Sequence, residues 1–96
     1  MTTMCSRPNT ANQNIQTYCD EVKPRVDSRT GKTHDVFIAK TYITKPGDQT
    51  VYLVKVHVGG DTYYHVKLMK NPAALWNKAV LQSTQIGMKL NDPLQF

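Results

Sequence analysis

The chain lacks any long apolar segment. None of its hydrophobic runs approaches the roughly 20 residues that a membrane-spanning helix needs. The N-terminal residues MTTMCSRPNT also contain no hydrophobic stretch of the kind that forms a secretory signal. We therefore expect no membrane partner and a cytoplasmic location.

Cysteine is also scarce. Cys5 and Cys19 are the two cysteines, and they are too few and too close in sequence to staple a domain of 96 residues. This favours a reduced, cytosolic protein. A leader segment preceding this sequence would reopen the alternative of a secreted one.

The usual signatures of catalysis are missing from the sequence. The hydroxyl residues show no pattern of nucleophile, base and orienting acid. Gly59 and Gly60 join two predicted strands instead of leading into a helix, so they do not form a phosphate-binding loop. We expect no enzyme and no cofactor.

The sequence pattern around the histidines does not indicate a metal site. His57 and His65 alternate with Lys55 and Lys67, which disfavour a cation and would suit a phosphate or sulfate better. No third ligand is implied nearby, so we expect no bound metal.

The charge is basic but dispersed. The net charge is +5 and the isoelectric point about 9.4, with basic residues scattered from Arg7 to Lys89 without a run. A solvated basic surface explains this pattern, so no nucleic-acid partner is expected. Binding of nucleic acid or acidic lipid through the basic surface is a minor alternative.

A hairpin over residues 50–69 organises the rest of the chain. Two runs rich in β-branched and aromatic residues flank Gly59, Gly60 and Asp61. If Val58 faces Thr62, the predicted pairs are 56 with 64, 54 with 66 and 52 with 68, which places the apolar residues on one face. The other face, with Lys55 and His65, is predicted to be mostly wet. The apolar face needs a cover.

A helix supplies that cover. Thr10 and Gln13 have the spacing of a capping box, which predicts a helix start at Thr10. The apolar residues that follow recur at helical intervals: Ile15, Tyr18, Cys19, Val22 and Val26. Pro24 predicts a kink or a loosened last turn, and Gly31 the end. Cys19 is predicted to be an inert core thiol.

Further strands follow the helix. Residues 34–44 and 80–88 are rich in strand-forming side chains, and Lys45-Pro46-Gly47-Asp48 predicts a type II turn between the first of them and the hairpin. Residues 1–9 are predicted to be a flexible arm, and residues 89–96 a tail. The chain is thus one domain, 1–96, ordered arm, helix and four strands.

Three segments give this chain a family resemblance. VKPRVDSRTGKT is similar to the VKPQLEEKTN type of stefin helix, YLVKVHVGGDTYYHVKLMK to the YFIKVHVGDEDFVHLRVF hairpin, and the closing DPLQF to the DELTxF ending. From Asn14 to Phe96 the sequence resembles a stefin, the disulfide-free, intracellular branch of the cystatin superfamily. The resemblance implies an α+β fold in which a four- to five-stranded antiparallel sheet wraps around one α-helix.

The resemblance also implies a function. Stefins inhibit papain-like cysteine peptidases reversibly and without covalent chemistry, by occluding the active-site cleft with an N-terminal arm and two hairpin loops. The corresponding protease-binding residues are Met4, Cys5 and Ser6 in the arm, Lys45, Pro46, Gly47, Asp48 and Gln49 in the first loop, and Asn71, Pro72 and Trp76 in the second.

This sequence departs from the family at two of these places. Residues 45–49 match none of the fixed positions of the Q-x-V-x-G first loop, and Ser6 follows Cys5 where the arm glycine is expected. Trp76 either anchors the second loop or folds over it onto the sheet. The alternative function is a stefin-scaffold binding protein whose protease inhibition is lost or altered. A monomer is expected, with a domain-swapped dimer as the alternative.

Overall fold

The computed structural model describes residues 9–45, 47, 50–70 and 79–94, which form one helix and five strands. The elements are β1 (Asn9–Thr10), α1 (Gln13–Thr30), β2 (Ile38–Lys45), β3 (Thr50–His57), β4 (Tyr63–Lys70) and β5 (Val80–Met88). The strands form one antiparallel sheet in the order β1-β2-β3-β4-β5. The α+β arrangement is cystatin-like, and the sheet has five strands.

The helix begins later than its capping pattern predicts. Asn12 is the N-cap, since its Oδ1 accepts a hydrogen bond from the Ile15 amide at 3.0 Å, whereas Thr10 belongs to β1. The prediction of a Thr10 cap is therefore wrong, because an asparagine two residues later serves the first turn better.

The helix ends where the sequence predicts, at Gly31. Gly31 takes the left-handed conformation, with φ of 72°, and its amide donates to the Asp27 carbonyl. The helix continues through Pro24 to Thr30, so the predicted loosening of the last turn does not occur. The Thr30 hydroxyl adds hydrogen bonds to the carbonyls of Val26 and Asp27 in that turn.

The central hairpin has the predicted register. Val56 pairs with Tyr64, Val54 with Val66, and Tyr52 with Leu68. The turn closes through hydrogen bonds between the backbones of Val58 and Thr62 and of Thr62 and Gly59. Period-2 alternation thus sets both strands to present their apolar residues to the helix.

The predicted bounds are correct for one outer strand and wrong for another. β5 spans the predicted residues 80–88, but β2 begins at Ile38 and not at His34. His34 turns inward before the strand begins and is buried in a polar cluster. Asn9, placed in the arm by the sequence, starts β1 and pairs with Tyr42.

The core lies between the helix and the inner face of the sheet. Its fully buried members include residues from α1, β3 and β4: Cys19, Val22, Val26, Val54, Val56, Val66 and Leu68. Burial of each such aliphatic side chain is worth roughly 1.5–3 kcal/mol, which makes this contact the main stabilising interaction of the domain.

The outer face of the sheet is less exposed to solvent than predicted. Leu53, Lys55 and His65 are all buried, with 5% of Lys55 and 1% of His65 exposed. The ammonium of Lys55 donates to backbone carbonyls within residues 89–92, which shows that the C-terminal segment folds back over this face. Alternation alone does not reveal that a tail provides this cover.

The one helix in the described part of the chain is not apolar enough to cross a membrane.

Candidate functional site

Register places several chain ends at one edge of the sheet. Lys45, the last residue of β2, pairs with Val51 next to the start of β3. Thr50 pairs with Lys70, the last residue of β4. On the far side of β4, Met69 pairs with Val80, the first residue of β5. The β2–β3 and β4–β5 connections therefore leave the sheet at the same edge, which we call the loop edge.

The start of β1 points the same way. Asn9 pairs with Tyr42 and Thr10 with Thr41, so the chain runs antiparallel to β2. Traced backwards from Thr10 to Asn9, it moves in the direction in which β2 runs, toward Lys45. The described strand that follows the arm thus has its N-terminal end directed toward the loop edge.

Only two of the predicted protease-binding residues lie within the described part of the chain. Lys45 is exposed at the end of β2, and Gly47 is exposed in a bend between β2 and β3. The others lie outside the described residues: Met4, Cys5, Ser6, Pro46, Asp48, Gln49, Asn71, Pro72 and Trp76. The predicted type II turn also extends outside them.

Aromatic side chains pack behind the loop edge. The rings of Tyr18 and Tyr52 lie 5.5 Å apart, and those of Tyr52 and Tyr42 lie 6.3 Å apart. The Lys70 ammonium sits 4.1 Å from the centre of the Tyr18 ring, a cation–π contact. Burial raises the pKa of Tyr52, and the electrostatic effects of the neighbouring Tyr18 and Tyr42 phenols raise it further. This cluster joins α1 to β2, to β3 near its start and to the last residue of β4.

The sequence pattern does not predict this aromatic cluster. Tyr18 and Tyr52 are recognisable as members of apolar stripes, but their contact with each other and with Lys70 depends on how the helix crosses the sheet. Tyrosine and lysine flanking a predicted loop were the available signal.

The helix is also tied to β5. The carboxylate of Glu21 accepts a hydrogen bond from the amide of Ala79, the residue directly before β5, at 3.1 Å. The Arg29 guanidinium donates to the Gln82 carbonyl at 3.2 Å. These two contacts fix the start of β5, and with it one side of the loop edge.

A polar cluster lies toward the opposite edge. His34 Nδ1 is 2.5 Å from Asp27 Oδ1, and His34 Nε2 is 2.8 Å from the Tyr64 hydroxyl. With Nδ1 protonated, the imidazole donates to the carboxylate and accepts from the phenol. Burial acts to raise the pKa of Asp27, but its hydrogen bonds with His34 and Lys23 and their charges lower it overall. Beside this cluster is an open cavity of about 430 Å³.

The described residues offer little for catalysis or metal binding. Within ranges 9–45, 47, 50–70 and 79–94, no three metal-ligating side chains come together. Cys19 is completely buried. This burial, with a smaller contribution from the neighbouring charge of Asp20, raises the pKa of its thiol to about 12. This agrees with the prediction of an inert core thiol.

Comparison with known proteins identifies relatives whose alignments cover nearly the whole chain. Cystatin-B from Oplegnathus fasciatus is 38% identical over 99 aligned positions, covering 100% of this chain and 99% of that protein. Cystatin-B from Paralichthys olivaceus is also 38% identical, over 95% of this chain and 93% of its own length. Human cystatin-A is 31% identical over 88% of this chain and 86% of its own length.

No family model matches the chain. The relatives nevertheless agree with one another, since cystatin-B and cystatin-A are both stefins. Their alignments extend over the helix and the central hairpin, the elements that the structure packs together. The chain therefore belongs to the stefin family of cystatins.

Proposed function

We propose that this protein is a reversible, non-covalent inhibitor of papain-like cysteine peptidases of the cathepsin type, acting by occlusion of the active-site cleft. Membership of the stefin family supports the class of activity. A further relative, 35% identical over 69% of this chain, is the pig leukocyte cysteine proteinase inhibitor 1. The proposed partner is therefore a cysteine peptidase, and the protein is not itself an enzyme.

The observation that carries the mechanism is the shared loop edge. Two connections leave the sheet there, and β1 is directed toward it. An edge that carries several chain segments can fill a cleft along its length, which one loop cannot do.

The side-chain packing behind the loop edge favours tight docking of this edge into a peptidase cleft. The Tyr18–Tyr52–Tyr42 cluster and the Lys70 contact hold the strand ends together before any partner arrives. A preorganised surface loses less conformational entropy on binding, so more of the contact energy appears as affinity. Gly47 in the first connection has no side chain and permits close approach of its backbone.

The first loop and the arm also motivate the alternative. Lys45 to Gln49 lacks the family's Q-x-V-x-G pattern, and Asp48 adds a charge that is costly to bury without a cation. A stefin scaffold that has lost or altered its inhibition, and binds another partner through the same edge, is the second candidate function.

Inhibition titrations against papain and a cathepsin test the proposal. Increasing protein should reduce peptidase activity competitively, and dilution should restore it, because no covalent bond forms. No inhibition at micromolar protein would remove the inhibitor function and favour the alternative.

We further propose that the protein is a cytoplasmic monomer. Exchange of α1 and β2 between two chains would require the connection after Lys45 to straighten. Pro46 restricts the backbone there, and with Gly47 it should favour the bent form. Size-exclusion chromatography after mild heating should show monomer, and a larger dimer fraction for Pro46→Ala.

A further inference from the structure

A buried lysine holds the C-terminal segment against the outer face of the sheet. Lys55 Nζ donates to the carbonyls of Lys89, Leu90 and Asp92, at 3.2 Å to Lys89 and 2.5 Å to Asp92. Only 5% of Lys55 is exposed. All three ammonium donors therefore have partners in one short stretch, residues 89–92, which we call the tail turn.

The tail turn has its own internal bonds. The Asp92 amide donates to the Lys89 carbonyl at 3.1 Å, and the Lys89 amide donates to Asp92 Oδ2 at 2.8 Å. This turn aims its carbonyls at one point, which the ammonium of Lys55 occupies. Charge-assisted hydrogen bonds of this kind are stronger than neutral ones, roughly twofold.

His65 lies beside this contact without a hydrogen bond to either ring nitrogen. It pairs with Lys55 across β3 and β4, on the same face, and 1% of it is exposed. Within the described part of the chain, neither Nδ1 nor Nε2 has a hydrogen-bond partner of acceptable geometry. Gln85, opposite on β5, lies close enough to His65 to favour its protonated form slightly.

The surroundings of His65 favour the neutral imidazole. Burial and the charge of Lys55 lower its pKa, and the weaker effects of Asp92 and Gln85 oppose them. The other described titratable or charged groups on this face are Lys45 on β2, His57 on β3, Tyr63 and Lys67 on β4, and Lys89 in the tail turn. Of the described groups that influence His65, Asp92 is the one anion.

We propose that residues 89–94 form an acid-released latch: protonation of His65 places a second positive charge beside Lys55 and frees the segment from the sheet. The carbonyls of the tail turn are already occupied by the Lys55 ammonium, so a protonated imidazole gains no acceptor from them. Lifting the segment lets water reach both cations, at the loss of the three hydrogen bonds from Lys55. The sheet beneath remains paired.

The pH window follows from the direction of the shift. In the open state His65 titrates near its ordinary pKa of about 6.5. The closed state binds the proton less well, so its advantage is complete above that value and declines as the pH falls. Each pH unit below about 6.5 should multiply the open population up to tenfold, until the pKa of the closed state is reached.

Amide hydrogen exchange measured by NMR on the full chain tests the latch. The amides of Lys89 and Asp92 report on the tail turn, and that of Val66 reports on the sheet. Between pH 8 and pH 5, protection factors at 89 and 92 should fall at least tenfold while that of Val66 stays within about twofold. Carboxyl groups, which ordinarily titrate near 4, stay ionised in this range.

Substitutions separate the latch from general acid sensitivity. His65→Phe and His65→Gln carry no titrating group, so either variant should keep its protection at 89 and 92 down to pH 5. His57→Gln is the matched control and should behave as the wild type, because His57 lies on the same face but its Nε2 already has a hydrogen-bond partner in the Gly60 carbonyl. Lys55→Met should lose the protection at every pH.

Two results would overturn the proposal. One is a wild-type tail whose protection factors do not change between pH 8 and pH 5. The other is a folded His65 variant that loses protection at 89 and 92 as the wild type does. The wild-type measurement stands alone if a variant does not fold.

Discussion

Thr50 and Lys70 pair across β3 and β4 at the point where β3 begins and β4 ends. Lys70 is held over the Tyr18 ring, so the pair is also linked to the helix. This relationship brings the connection between β2 and β3 next to the connection between β4 and β5. The proposed inhibition depends on that proximity and on the scaffold that maintains it.

Removal of the Tyr64 hydroxyl should destabilise the fold. In Tyr64→Phe, Nε2 of the buried His34 loses its partner, and leaving such a group unsatisfied costs about 1–3 kcal/mol. Urea unfolding should show this decrease in the free energy of unfolding. The matched variant Tyr63→Phe, at a more exposed position, should change it by less than about 0.5 kcal/mol. Equal effects would contradict the role given to the His34 contact.

Asp27 should make stability depend on pH in the acid range. Its pKa is lowered in the folded state, so its contribution is present above the ordinary value near 3.8 and is lost as the pH falls through the folded-state pKa. Asp27→Asn should therefore be less stable at neutral pH and lose less stability between pH 5 and pH 2. Thermal unfolding across that range measures both effects, with Asp35→Asn, an exposed neighbour, as the control.

Cys19 should be unreactive while the protein is folded. Burial and the raised pKa leave almost no thiolate at neutral pH, and the thiolate is the reactive form. In a Cys5→Ser variant, a disulfide reagent should label no thiol in buffer and one thiol in denaturant. Rapid labelling of the folded variant would show that the helix does not protect Cys19.

Restoration of the family's first-loop sequence should strengthen inhibition. Replacing residues 45–49 with Gln-Val-Val-Ala-Gly removes Asp48 and supplies small and apolar contacts. The inhibition constant against papain should fall at least tenfold, which corresponds to about 1.4 kcal/mol. An unchanged constant would mean that this loop does not touch the peptidase.

The sequence predicted most of the fold because its strongest signals are local. Period-2 alternation set the pairing of Val54 with Val66, and helical spacing identified Cys19, Val22 and Val26 as the buried stripe. Positive φ at Gly31 ended the helix where expected. These features depend on neighbours in sequence or on one hairpin.

Contacts between distant segments were harder to predict. Alternation predicts a solvent-exposed Lys55 because it lies on the outer face, and no sequence pattern shows that residues 89–92 cover it. The strand-forming composition of residues 34–44 includes His34, and nothing local in sequence reveals that its partners Asp27 and Tyr64 lie in other elements. The predicted Thr10 cap is wrong for a local reason, since the helix begins two residues later, where Asn12 accepts from the Ile15 amide.

The candidate site was predicted through family resemblance more than through physical pattern. Nothing in the composition of residues 45–49 or 71–76 indicates a peptidase as partner. What the residues do establish is the register, and the register alone brings the flanks of both connections to one edge.

The most direct test compares a bulky residue at opposite edges of the molecule. Gly47→Tyr places a ring in the first connection of the loop edge, whereas Asp61→Tyr places one in the exposed turn between β3 and β4. Inhibition constants against papain would be measured for both variants and the wild type. Occlusion through the loop edge predicts at least a tenfold loss for Gly47→Tyr and less than a twofold change for Asp61→Tyr. A loss confined to Asp61→Tyr, or equal constants for all three proteins, would contradict it.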